Sequence, residues 1–295
     1  MKVISRMKGG LGNQLFCYAA ARRLALVNNA ELVIDDVSGF KRDFQYHQKY
    51  VLDNFHIQAR KASRAERLEP FERYRRGVKK WIWRRRPFGG RRYLEQEGYG
   101  FDERLLWLKI NGSLYLDGYW QSENYFKDVE ETIRKDLKFR PPIDVRNQRM
   151  ADQIRKTNAV ALHVRSFGNP TTFLAENVSR DYYTRSIKLM EQSIESPHYF
   201  VFSNDMDRAQ RMVDLKQDKA TFVLHDSMDD TGYADLWLMT LCRHFITANS
   251  TFSWWGAWLA ESSNKIVICP NPIENGISNW AALFSETLPS GWMKV

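Results

Sequence analysis

Four short stretches carry residue types that handle anions, and each lies where an apolar run meets a turn. The first is Gly9-Gly10-Leu11-Gly12-Asn13-Gln14, just after Val3 and Ile4. Glycines there let backbone N–H groups approach an anion, and the N-terminus of a following helix favours negative charge. No Gly-Lys-Ser/Thr follows, so this is not a Walker A loop, and the third glycine of the dinucleotide fingerprint is missing. Glycine spacing alone reads as a tight turn. The two amides of Asn13 and Gln14 at a helix start add the means to hydrogen-bond a ligand.

The second stretch, His163-Val164-Arg165, ends a strand, and period-two alternation points His163 and Arg165 to one side. An arginine there can grip a pyrophosphate through two parallel hydrogen bonds and stabilise it as a leaving group. A surface salt bridge is the ordinary alternative for Arg165. His163 has an intrinsic pKa suited to proton transfer, with a structural role as its alternative. The third, Phe202-Ser203-Asn204-Asp205, offers a carboxylate for ribose hydroxyls or a guanine edge, or else a helix cap. Asp205-Met206-Asp207 also reads as the Asp-x-Asp of a metal-dependent transferase. The fourth is Ala248-Asn249-Ser250-Thr251-Phe252-Ser253-Trp254-Trp255-Gly256-Ala257-Trp258. Ser250 and Thr251 form a second helix-start anion site, Phe252 can pack on a base or sugar, and the tryptophans read as core.

These stretches need strand ends to hold them, and the pattern supplies strands. Residues 3–4, 31–35 and 114–119 read as strands in the first half, with helices beginning near Leu15 and ending near Lys135. Residues 40–110 read as helices and loops inserted in that half. Pro141-Pro142-Ile143-Asp144 reads as a linker. Beyond it, strands at 159–164, 199–202, 221–224, 245–246 and 266–269, the last, alternate with helices at 181–195, 207–213, 233–241 and 254–261. Such alternation predicts a parallel, doubly wound sheet, with ligands at the carboxyl ends of its strands.

The net charge of +9 is concentrated in one place. Residues 60–92 hold fourteen Lys and Arg against Glu66, Glu69 and Glu72, a local +11 that leaves the rest of the chain near neutral. Trp81, Trp83, Phe88 and Tyr93 are interleaved with these cations, a mixture that suits peripheral contact with anionic lipid. A solvated basic loop is the alternative. Nucleic-acid binding ranks below both, because no nucleic-acid motif accompanies the charge. Cys17, Cys242 and Cys269 are scattered and odd in number, as in a reducing compartment. The six histidines show no metal spacing, and no apolar run reaches the roughly 18 residues of a membrane span. The expectation is a cytoplasmic protein, peripheral on the cytoplasmic face of a membrane.

Taken in order, GGLGNQLF, GYWQSENYF, the His-x-Arg strand, FSND and ANSTFSWWGAWL resemble glycosyltransferase family 11, the α-1,2-fucosyltransferases. The resemblance spans nearly the whole chain and is thinnest over residues 40–110. It implies a GT-B type α/β fold, two Rossmann-like domains facing across a cleft: an acceptor-side domain at 1–142 with the basic insertion, and a GDP-fucose-binding domain at 143–295. It implies inverting transfer of fucose to the 2-hydroxyl of a galactose-type residue on a glycan, in surface-polysaccharide assembly, with no essential metal and no cofactor beyond the donor substrate. Arg165, Asn13 and His163 would be catalytic. Gly10, Gly12, Gln14, Asn204, Asp205, Ser250, Thr251 and Phe252 would bind the donor. Partners would be GDP-fucose and a galactose-containing, lipid-linked glycan, with membrane contact through 60–92 and no nucleic acid. One departure stands out: where the family reads His-x-Arg-Arg-x-Asp, this chain has Ser166 and Gly168, which leaves acceptor, linkage and rate open, while Arg165, FSND and STFSWW keep the donor expectation; a family member using another sugar nucleotide is the alternative.

Overall fold

Val3 and Ile4 are apolar at consecutive positions and so need cover on both faces. β1 (Lys2–Arg6) obtains it at the centre of a parallel sheet ordered β3-β2-β1-β5-β4. The other strands are β2 (Glu31–Asp35), β3 (Arg60–Lys61), β4 (Tyr93–Glu95) and β5 (Ser113–Asp117), and every pairing is parallel. The computed structural model describes residues 1–44, 47–98, 100–167, 177–224, 232–271 and 288–295. The chain divides into two units, Met1–Arg140 and Pro141–Val295, each with its own sheet.

In the first unit α1 (Leu11–Val27) follows β1. Thirteen of its 17 residues are buried, among them Ala19, Ala20 and Ala21, whose small side chains allow close packing. Asn28 terminates it by donating to the Leu24 and Leu108 carbonyls at 2.9 and 3.0 Å. α2 (Glu72–Arg84) packs against β4, and α3 (Glu130–Asp136) closes the unit. Residues 40–110 are therefore more than inserted helices and loops, since they supply both edge strands. β3 and β4 are two and three residues long, so their pairing with β2 and β5, not any local pattern, makes them strands.

The second unit opens with α4 (Val145–Lys156), capped by Asp144, whose carboxylate accepts from the Asn147 amide at 2.8 Å. Then come β6 (Asn158–Val164), α5 (Arg180–Ser193), β7 (Pro197–Ser203), α6 (Met206–Met212), β8 (Ala220–Phe222), α7 (Tyr233–Thr240), β9 (His244–Ile246), α8 (Thr251–Leu259), β10 (Val267–Cys269) and β11 (Met293–Lys294). The sheet order is β11-β10-β9-β6-β7-β8, all parallel. β10 is thus not the last strand: β11 pairs beyond it, placing Met293 beside Ile268. The α/β class and the parallel sheets expected from the alternation are present in both units.

Strand order locates the reversal points. β6, β7 and β8 step outward one way, and the chain then returns to lay β9, β10 and β11 on the other side of β6. The reversal lies between β6 and β9, and in the first unit it lies between β1 and β5. At such points the connections leave a crevice at the carboxyl ends of the strands.

α8 is held hard against α7. A Cβ built on Gly256 would come within 2.2 Å of Met239 Sδ, so only glycine allows this approach. Trp254 and Trp258 stack with centroids 6.0 Å apart, and Trp255 meets Trp254 edge-on at 4.9 Å; all three are buried, so this helix turns an aromatic face to the core.

Candidate functional site

The second unit gathers three of the motifs at one sheet edge. β6 and β7 run in register with Val164 opposite Ser203, and β6 and β9 with Leu162 opposite Ile246. His163-Val164-Arg165, Ser203-Asn204-Asp205 and Ser250-Thr251-Phe252 therefore emerge from adjacent strands around the reversal point.

Each residue has a definite setting. The His163 ring, buried, lies 5.6 Å from that of Phe252, which joins the ends of β6 and α8. Tyr183 on α5 donates its hydroxyl to the His163 carbonyl at 3.1 Å. Burial pushes the Tyr183 phenol up, against the opposing effect of the Arg208 cation and the Arg165 backbone, so positive charge from α6 reaches the same strand end. Arg165 is partly exposed, with its guanidinium 5.2 Å over the Phe167 ring. Two amide clips pin the loop carrying it. Asn204 accepts from the Ser166 N–H at 2.9 Å and donates to the Ser166 carbonyl at 2.8 Å, while Asn177 accepts from the Phe167 N–H at 2.8 Å. Asn204 thus uses its carboxamide on the neighbouring loop, although its residue is exposed. Asp205 caps α6, accepting from the Arg208 N–H at 2.9 Å, and remains partly exposed. Ser250 caps α8, accepting from the Phe252 N–H at 3.3 Å, with Thr251 as the first helical residue. Gly168 lies outside the described residues.

Such an edge suits a phosphorylated ligand. It brings together Arg165 and Asp205, both partly exposed residues, the N-terminus of an apolar helix and the Phe252 ring. Among the described residues, no three His, Cys, Asp or Glu come together as a metal-ligand set.

In the first unit the glycine turn follows β1 beside the other reversal point. Gly9 has φ +71°, and a Cβ there would meet Asn13 Nδ2 at 2.7 Å, so the turn admits glycine on both counts. Gly10 is the N-cap of α1 and Gly12 is buried in its first turn. Asn13 accepts from Gln121 Nε2 at 2.7 Å, which ties the α1 start to the segment after β5. Gln14, expected from the sequence to contact the donor, has a packing role in the turn. It is wholly buried; its amide nitrogen donates to the Gly9 and Lys49 carbonyls at 2.9 and 2.8 Å, and its oxygen accepts from the Val51 N–H at 3.1 Å. Three backbone groups saturate most of that amide, so Gln14 braces the turn against the loop at 49–51.

Lys8, Asp117 and Gln121 complete this cluster and are absent from the sequence expectation. Asp117 is buried and accepts from Lys8 Nζ at 2.8 Å, from Arg6 at 3.3 Å and from the Tyr93 hydroxyl at 2.8 Å. Burial alone would raise its pKa; the Lys8 and Arg6 charges outweigh burial and hold it down at about 2. The available signal was an aspartate ending each of two strands, Asp35 and Asp117, and a glutamine inside GYWQSENYF.

Comparison with known proteins agrees with this architecture. The chain is 29% identical over 284 residues to an alpha-1,2-colitosyltransferase of Escherichia coli, covering 92% of this chain and 91% of that protein. It is 26% identical over 165 residues to human galactoside alpha-(1,2)-fucosyltransferase 1, covering 50% of this chain and 43% of the human one. The crystal structure of NodZ alpha-1,6-fucosyltransferase soaked with GDP-fucose superposes with a TM-score of 0.53 at 17% identity, covering 88% of this chain and 92% of that one, and shares its GT-B fold. The family model for glycosyl transferase family 11 matches residues 3–284, and the chain belongs to that family.

Proposed function

We propose that this glycosyltransferase moves fucose from GDP-fucose, with inversion, to the 2-hydroxyl of a galactose-type residue on a glycan of surface-polysaccharide assembly. The observation that carries the proposal is the meeting of Arg165, Asp205, the α8 N-terminus and the His163–Phe252 pair at the reversal point of the second sheet. The bond from the anomeric carbon to the GDP oxygen breaks as the acceptor oxygen bonds to that carbon, and its hydroxyl proton passes to solvent water. Negative charge grows on the departing diphosphate, where Arg165 and the α8 N–H groups oppose it. Asp205 takes the guanosine, Phe252 packs on the nucleoside or sugar, and Asn204 keeps the Arg165 loop in place. To the first unit the proposal gives the acceptor, with Asn13 orienting its hydroxyl; the Asn13 oxygen accepts from Gln121, and a carboxamide is no base.

The α-1,2 linkage rests on the names of two relatives, one of which transfers colitose and the other fucose. A second reading keeps the acceptor chemistry and changes the sugar nucleotide to a colitosyl donor. It is favoured by the 29% identity to the colitosyltransferase and by Ser166 standing where an arginine is expected. Incubating the enzyme with each donor and a β-galactoside, then assigning the new linkage by NMR, separates the two. A fucosylated 2-hydroxyl supports the first reading, a colitosylated one the second, and substitution at another hydroxyl overturns the linkage in both. The proposal places the enzyme in the cytoplasm, with residues 60–92 in peripheral contact with the membrane that carries a lipid-linked acceptor.

A further inference from the structure

α2 has two faces of different character. Toward β4 it turns Lys80, whose ammonium reaches Glu95 at 2.6 Å, and Trp83, which packs on the cluster of Ile4, Val33, Ala62, Tyr93 and Tyr115. No residue of the helix is fully buried. On the other side Phe71, at its N-cap, and Tyr74, Val78, Trp81 and Ile82 fall within an arc of about 100° at the helical repeat. This stripe faces water: Phe71 is 77% exposed, Tyr74 75% and Trp81 60%. With Arg42, Glu72, Arg73 and Gly77, most of it lines an open cavity of about 840 Å³, and the Glu72 carboxylate lies 3.9 Å from Lys41 Nζ.

The charges around the stripe divide into spent and unspent. Lys80 and Arg84 are paired with Glu95, and Arg91 with Glu97. Among the described residues Arg73, Lys79 and Arg86 have no carboxylate in ion-pair range. Arg85 lies 3.7 Å over the Trp81 ring, carrying positive charge onto the aromatic edge.

We propose that this face of α2 is a docking surface for an anionic phospholipid bilayer. The helix lies in the plane of the interface, its aromatic stripe at the boundary between headgroups and acyl chains, and Arg73, Lys79 and Arg86 on the phosphates. Single-stranded nucleic acid is the poorer occupant, because Val78 and Ile82 give it nothing to stack on. The inference deepens the membrane contact assigned above to residues 60–92 and rests on it, while standing apart from the donor chemistry.

The test is co-sedimentation of the full chain with phosphatidylcholine vesicles, with and without phosphatidylglycerol, at low and high salt. Wild type is expected to bind only the anionic vesicles, less at high salt. A Tyr74→Ser, Trp81→Ser variant is expected to bind about tenfold more weakly or worse, with unchanged thermal unfolding and turnover on a soluble acceptor. Brominated lipid should quench wild-type fluorescence more than that of Trp81→Phe. Wild type that binds no vesicle at low salt overturns both the membrane contact and this face. Wild type and the Ser variant binding equally well overturns the face alone. Binding to an RNA oligonucleotide without vesicle binding overturns the choice of partner.

Discussion

Arg165 is the side chain on which the proposed chemistry leans most. Its loop is clamped at Ser166 and Phe167 by two asparagine side chains, so the guanidinium is presented from a fixed backbone. Arg165→Ala should lower kcat/KM about a hundredfold or more, the usual cost of removing one preorganised charge from a transition state. Steady-state kinetics on a variant with wild-type thermal unfolding would read this, and near-normal turnover would remove Arg165 from the mechanism. Asp117 makes a different prediction, in stability. Its folded pKa is depressed to about 2 by Lys8 and Arg6 acting against burial. The stabilisation it gives is complete above the ordinary carboxylate range and is lost as pH falls from about 4 to about 2, an amount of about 2 kcal/mol. Asp117→Asn should be less stable at neutral pH, by about 3 kcal/mol because Arg6 and Lys8 lose their partner, and should lose little more over that acid window. Urea unfolding against pH would show it; parallel curves for variant and wild type would contradict it.

At the scale of elements, the α7–α8 contact sets where the fourth motif begins. Gly256→Ala forces a methyl against Met239 Sδ. Overpacking of about 1–3 kcal/mol exceeds the helix-propensity gain of about 1 kcal/mol. A fall in Tm of several degrees is expected, and an unchanged or higher Tm would mean that α7 yields. Elements also explain what could be read in advance. β6, β7 and β9 are apolar runs that end in polar motifs, so their positions and the motifs at their ends were legible. β3, β4 and β11 are two or three residues long and exist through pairing partners far along the chain. α4 was missed for a related reason: only Ala151 and Ile154 are buried, so it shows little apolar period, and its clearest signal is the Asp144 cap. The bracing role of Gln14 is not legible in the sequence because its three partners come from Gly9, Lys49 and Val51, two of them some way along the chain, and nothing local announces them.

Across the whole molecule, the two units repeat one plan: a parallel sheet, a reversal beside a central strand, and chemistry-bearing residues at that edge. Family membership and this plan agree, although no one motif would establish either. The buried cysteines give a further check on the packing of both units. Cys17, Cys242 and Cys269 are all free and buried, and burial pushes the Cys17 and Cys269 thiols up to about 12. An aromatic disulfide reagent at neutral pH should therefore react only at the rate of unfolding, and at once in denaturant. Fast reaction of any thiol in the native protein would contradict the packing around it.

The central claim is that the enzyme uses GDP-fucose on a galactose-type acceptor, and transfer from labelled GDP-fucose to a β-galactoside, with and without chelator, tests it most directly. A fucosylated product formed at the same rate in both conditions is expected. No turnover of GDP-fucose, with turnover of another sugar nucleotide by the same preparation, would contradict the donor assignment, and loss of transfer on chelation would contradict the part given to Arg165 and the α8 N-terminus.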